Sequence, residues 1–114
     1  MKLLTKQQYE KLVKNGLPEN RDQDHPPVVK LFLPGTGCTW LLSEIECEEN
    51  LIAFGLCDLG MGFPELGSVD INELISIRNC FGLTVERDVS FEGKYPLSKY
   101  ADAARAAQRI IDDF

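Results

Sequence analysis

Apolar and polar positions alternate along this chain in blocks that change period several times. Leu4 and Tyr9 flank Thr5 and Gln8, the arrangement of a capping box with its hydrophobic staple, and so predict a first helix from about Lys6 to Lys14. Asn15-Gly16 should end it, glycine being suited to the left-handed turn after a helix. The polar, proline-punctuated stretch 17–27 (LPENRDQDHPP) reads as a connecting loop. Three strand-like runs follow: VVKLFL (28–33), TWLLSEIE (39–46) and LIAFGLCD (51–58). Their connections, PGTG and CEEN, are too short for parallel crossovers and predict an antiparallel meander with one mostly buried face.

Beyond the meander lies FGLCDLGMGFPELG (54–67), read as a pliable loop, and then Asp70 and Glu73 as a second capping pair opening a helix over 71–80. LTVERDVSF (83–91) alternates at period two, with Leu83, Val85, Val89 and Phe91 on one face and Arg87 as the one charge on that side. Ser98 is read as the N-cap of a final helix of about fifteen residues, in which Tyr100, Ala104, Ala107, Ile111 and Phe114 recur at helical spacing. The fold class predicted is α+β: a single domain, 1–114, with an antiparallel sheet of four or five strands, a β-meander core and three helices. The N-terminal and C-terminal helices are expected to pack on the sheet, mostly on one face.

Composition adds few constraints. A chain of 114 residues with 44% hydrophobic and 26% charged residues suits one globular domain. No apolar run nears the ~20 residues of a membrane span, and the start has only an apolar pair where a signal peptide needs an apolar core, so no membrane association and a cytoplasmic location are expected. Cys38, Cys47, Cys57 and Cys80 include no C-x-x-C pair, and His25 is the only histidine, which points to reduced, small buried side chains rather than a zinc site or disulfides.

Charge changes the picture more. Within the overall −6, residues 31–77 contain no Lys, Arg or His but hold Glu44, Glu46, Glu48, Glu49, Asp58, Glu65, Asp70 and Glu73. That acidic middle argues against direct nucleic-acid binding there, since phosphate must be met by cations. It favours a protein partner instead, and the oligomeric state is left open.

The segments DHPPVVKLF (24–32), TWLLSE (39–44), AFGLCDLGMGFPELG (53–67), VERD (85–88) and PLSKYA (96–101) resemble an uncharacterised bacterial family, domain of unknown function 2958. The resemblance spans nearly the whole chain, and the matching polar positions are Asp24, His25, Lys30, Trp40, Asp58, Glu65, Glu86, Arg87 and Asp88. Gly35-Thr36-Gly37 departs from its pattern. The resemblance implies a protein often carried on mobile elements, near genes for DNA transfer or antirestriction, and supplies no activity and no cofactor.

The candidate chemistry is sparse. Asp58, Glu65, Arg87 and His25 are the candidates for a catalytic role, and Asp58, Glu65, Glu86 and Asp88 are weak candidates for a hard cation that takes oxygen ligands. An arginine on an apolar face needs a partner, and Asp58 or Glu65 is expected to provide it, locking the glycine loop to the sheet. Trp40, Glu44, Glu46, Glu48 and Lys30 are the binding candidates. The leading expectation is a non-enzymatic binding or accessory protein of mobile-element biology that docks a partner through the acidic hairpin and the glycine loop. The alternative is a small metal-dependent hydrolase of phosphodiesters using the clustered carboxylates.

Overall fold

The structure, a computed structural model, describes residues 3–114. It contains α1 (Lys6–Asn15), β1 (Val29–Phe32), β2 (Cys38–Cys47), β3 (Ile52–Leu59), β4 (Glu65–Asp70), α2 (Ile71–Ser76), β5 (Glu86–Arg87) and α3 (Leu97–Ala107). The five strands form one antiparallel sheet in the order β4-β3-β2-β1-β5, so the α+β expectation holds.

The helices do not crowd one face. In β2, Trp40 and Leu42 turn toward a core built with Leu12 of α1, Leu31 of β1 and Ile71 and Leu74 of α2. Leu41, between them, turns to the opposite face and packs with Leu56, Leu97, Tyr100 and Ala104. A strand buried on both faces reads as a continuous apolar run, and WLL in β2 is such a run. The second core is closed by aromatic contacts: Tyr100 meets Phe91 and Phe114 edge to face at centroid distances of 6.2 and 5.2 Å.

α1 starts as its sequence dictates, with Thr5 and Gln8 exchanging side-chain to backbone hydrogen bonds of 3.0 Å each. Its end has a different cause from the expected left-handed turn. Gly16 has φ −86°, and glycine is required there because a Cβ would lie 1.8 Å from the Ile45 carbonyl oxygen. Buried Asn15 uses its side-chain amide to satisfy the Ser43 carbonyl at 2.9 Å, beside a register break between Leu42 and Glu44. The helix end thus fixes a bulge in β2.

Three segments in the middle of the chain depart from expectation, two of them for local reasons. Glu65–Asp70, expected as loop and helix lead-in, is an edge strand. α2 stops at Ser76, because Asn79 builds a turn of its own: its side-chain oxygen accepts from the Phe81 and Leu83 amides at 2.8 and 3.0 Å. The 83–91 strand shrinks to Glu86–Arg87, since the Asp88 side chain takes the Ser90 amide at 2.9 Å and turns the chain away. Val85 alone of the expected apolar face is buried, and Val89 is exposed.

Ser98 is not the N-cap of α3 but its second residue, with Pro96 at the cap position. The loop before β1 caps α3 from a distance: His25 carbonyl accepts from the Leu97 amide at 3.0 Å, and Asp24 accepts from the Ser98 amide at 3.1 Å and from its hydroxyl. A carboxylate at a helix start also meets the positive end of the helix dipole. α3 ends at Ala107, four residues short of Ile111, where Gln108 enters the left-handed region at φ 61° and the tail folds back to bury Ile110.

Candidate functional site

The glycine loop is organised by Asp58, the penultimate residue of β3. Its carboxylate is 2% exposed, and its two oxygens serve two backbone amides. Oδ1 accepts from Gly60 N at 2.8 Å and Oδ2 from Ile110 N at 3.0 Å. One side chain therefore holds the first turn of the loop and pins the C-terminal tail to the sheet. Gly60 and Gly62, at φ 79° and 86°, then turn the chain through conformations that other residues rarely adopt.

The expected ion pair to Arg87 is not made. Asp58 faces Thr39, which lines up with Phe32 and Glu86 across the sheet, so three strand steps, about 14 Å, separate β3 from β5. Glu65 is further still. It shares a row with Cys57, Trp40, Leu31 and Arg87, at the opposite edge of the sheet and about 19 Å away. Arg87 does face the apolar side, as its place opposite Leu31 requires, and among its contacts is a 3.0 Å hydrogen bond to the Leu3 carbonyl.

The other candidates are also dispersed. The His25 Nε2 lies 2.7 Å from the Asn20 carbonyl, so in that contact it donates, which ties the ring to its own loop. Glu86 is exposed on β5, and Asp88 lies 3.8 Å from the Lys30 ammonium, which reaches Asp112 at 2.8 Å. Among the described residues, no group of three or more His, Cys, Asp or Glu is placed to hold a metal ion. Asp58, Glu65, Glu86 and Asp88 therefore form no common centre.

Of the binding candidates, Trp40 is buried in the core. Glu44 is buried too, and burial pushes its carboxyl above the ordinary 4.5; nearby His25 and Arg21 pull it down while Glu46 and Asp22 push it up. Glu46 accepts from the Ser68 hydroxyl and Glu48 from the Tyr9 hydroxyl, each at 2.6 Å. The latter bond, with lesser help from burial and charge, raises the Tyr9 phenol above 10.0. Lys30 lines a polar cavity of about 350 Å³ with Asp88, Phe91, Lys94 and Asp112. Three cysteines are half-buried and Cys80 is exposed; all four are free thiols, and burial lifts Cys57 to about 11.

What sequence reasoning missed is the end of the sheet where three turns meet. Gly60 packs on Gly37 so closely that a Cβ on Gly60 would sit 3.2 Å from the Gly37 Cα, and the Asn79 amide donates to the Pro34 carbonyl at 2.7 Å. These contacts gather the 33–37, 59–64 and 77–83 segments. Together they present Leu59, Met61, Phe63, Phe81 and Leu83 to solvent, with Met61 75%, Phe63 78% and Phe81 84% exposed. The signal in the sequence was Met61 and Phe63 themselves, apolar residues in a loop with no period to bury them. The acidic turn at 47–50 lies at the other end of the eight-residue β3, about 27 Å away.

A model of the family described as protein of unknown function (DUF2958) matches residues 3–111. The chain belongs to that family. No curated protein and no solved structure matches it. In this DUF2958 chain the segments that carried the resemblance include the Asp24 cap of α3, the Asp58 tether and the loop that bears Met61 and Phe63. No described helix is long and apolar enough to cross a membrane.

Proposed function

We propose that this chain is a non-enzymatic binding protein that docks a protein partner through the glycine-loop end of its sheet. The observation that carries the reading is the exposure of Leu59, Met61 and Phe63 on a loop whose first turn is held by Asp58. Large apolar side chains left exposed within one short loop mark an interaction segment, and a tethered backbone lowers the ordering cost of binding. The acidic hairpin has a smaller part than its sequence suggested. Glu44 is buried, and Glu46 and Glu48 already accept intramolecular hydrogen bonds. A role as an accessory protein of mobile-element biology rests on the family resemblance alone. Nothing in the placement of the carboxylates favours the hydrolase.

The test is a Met61→Ser, Phe63→Ser double variant of the full chain, compared with wild type by co-purification from host cells and by thermal unfolding. The expected result is an unchanged melting temperature and loss of a co-purifying protein. Retention of every wild-type partner would overturn the proposal.

A further inference from the structure

The edges of the sheet are unequal. β5 is two residues long, whereas β4 runs six residues and pairs with β3 without a register break. An edge strand exposes a row of unpaired N–H and C=O groups, and proteins usually shorten it, bulge it, or place proline or lysine on it. β5 follows that rule by its length. β4, ELGSVD, has no proline, lysine or arginine and no bulge, and about half of its backbone groups point away from β3.

Gly67, in the middle of β4, is the second observation. Glycine inside a strand usually marks a bulge or the close approach of another backbone. The β3–β4 ladder has no bulge, and a Cβ on Gly67 would meet nothing within 4 Å. Within the described residues, neither cause operates.

One hollow lies along the second half of β4 and another at its start. One, of about 290 Å³, is walled by Trp40, Cys57, Val69 and Leu74, with Asp70 and Glu73 also lining it. The other, of about 320 Å³, lies between Phe63, Pro64 and Glu65 and Arg105 and Gln108 at the end of α3. A strand laid beside β4 sends alternate side chains to opposite faces, toward these two hollows. The surrounding charge is acidic, from Glu46, Glu65, Asp70 and Glu73, and the nearby Arg105 is held by Asp102 at 2.8 Å.

We infer that β4 is a strand-addition edge that receives an extended segment of a partner protein, one with Lys or Arg alternating with apolar residues. A second copy of this chain is a poorer occupant. Symmetric pairing about the Gly67–Ser68 bond sets Glu65 against Asp70 at both ends, and like charges directly opposite are destabilising. The inference rests on the docking reading, since the loop bearing Phe63 leads directly into β4.

The test uses the full ¹⁵N-labelled chain titrated with three ten-residue peptides: alternating Lys and Val, alternating Glu and Val, and the Lys/Val peptide with a central proline. The Lys/Val peptide is expected to shift the amides of 65–70 and slow their exchange, with the other two binding at least tenfold more weakly. No binding, equal binding of the proline peptide, or shifts centred on Glu48 and Glu49 would overturn the inference. So would a dimer in sedimentation whose β4 amides are already protected. If the Met61, Phe63 double variant loses its partner while no peptide reaches β4, the docking reading stands and strand addition falls.

Discussion

Replacing Asp58 by alanine removes the acceptor for two backbone amides at once. Hydrogen bonds to a charged group contribute about 1.5–3 kcal/mol each, and the lower figure suits Gly60 N, which lies near the surface. The Ile110 amide is buried with its bond, so its loss also leaves a donor unsatisfied. With the upper figure for Ile110, the two bonds together give a destabilisation of about 4.5 kcal/mol, or roughly 18 °C at about 4 °C per kcal/mol for a domain of this size. Asp58→Asn should cost about 2 kcal/mol, because its one amide oxygen serves only one of the two donors. Urea unfolding measures both, with the midpoint falling and the slope unchanged. A double-mutant cycle with Arg87→Ala decides the cause. Sites this far apart should be additive to within about 0.5 kcal/mol, whereas a coupling of 1 kcal/mol or more would restore the ion pair and refute the tether.

Further outcomes follow from single residues. Glu44, whose carboxyl is raised by burial, retains its proton in the folded chain at pH values where the unfolded chain has released it. Its contribution is therefore full below the ordinary 4.5 and declines as pH rises above it, so the melting temperature of Glu44→Gln should gain on wild type between pH 4 and 7; a constant difference would refute this. Gly67→Ala should stabilise by about 0.5 kcal/mol in thermal unfolding, since strand glycine costs backbone entropy and a Cβ there meets nothing. Gly55→Ala should destabilise by more than about 3 kcal/mol, its Cβ falling 2.0 Å from the Leu41 carbonyl oxygen. Iodoacetamide at pH 8 should label exposed Cys80 first and Cys57, lifted to about 11, last; mass spectrometry of timed digests shows the order.

Features set by neighbours in the chain were legible beforehand. The Thr5–Gln8 capping box and the three meander strands emerged close to their expected bounds, because caps and apolar runs act over a few residues. β4 was hidden because Leu66 and Val69 are three residues apart and half the strand faces solvent, so it carries no alternation. The strand order was decisive for the site. It is a long-range property, and it put Arg87 at the opposite edge from Glu65 while two pairs of residues that seemed unrelated, Asp58 with Ile110 and Asp24 with Ser98, came into contact. Carboxylates that bond backbone amides leave no partner type in the sequence to search for. Met61 and Phe63 were visible as letters, but their exposure depends on three turns meeting at one end of the sheet.

Photo-crosslinking in host cells locates the docking surface, with a photoreactive residue placed at Met61 in one full-length variant and at Glu49, near the far end of the β2–β3 ribbon, in another. A discrete protein adduct is expected from Met61 and none from Glu49; adducts from Glu49 alone would place docking at the acidic turn and rule out the glycine-loop end.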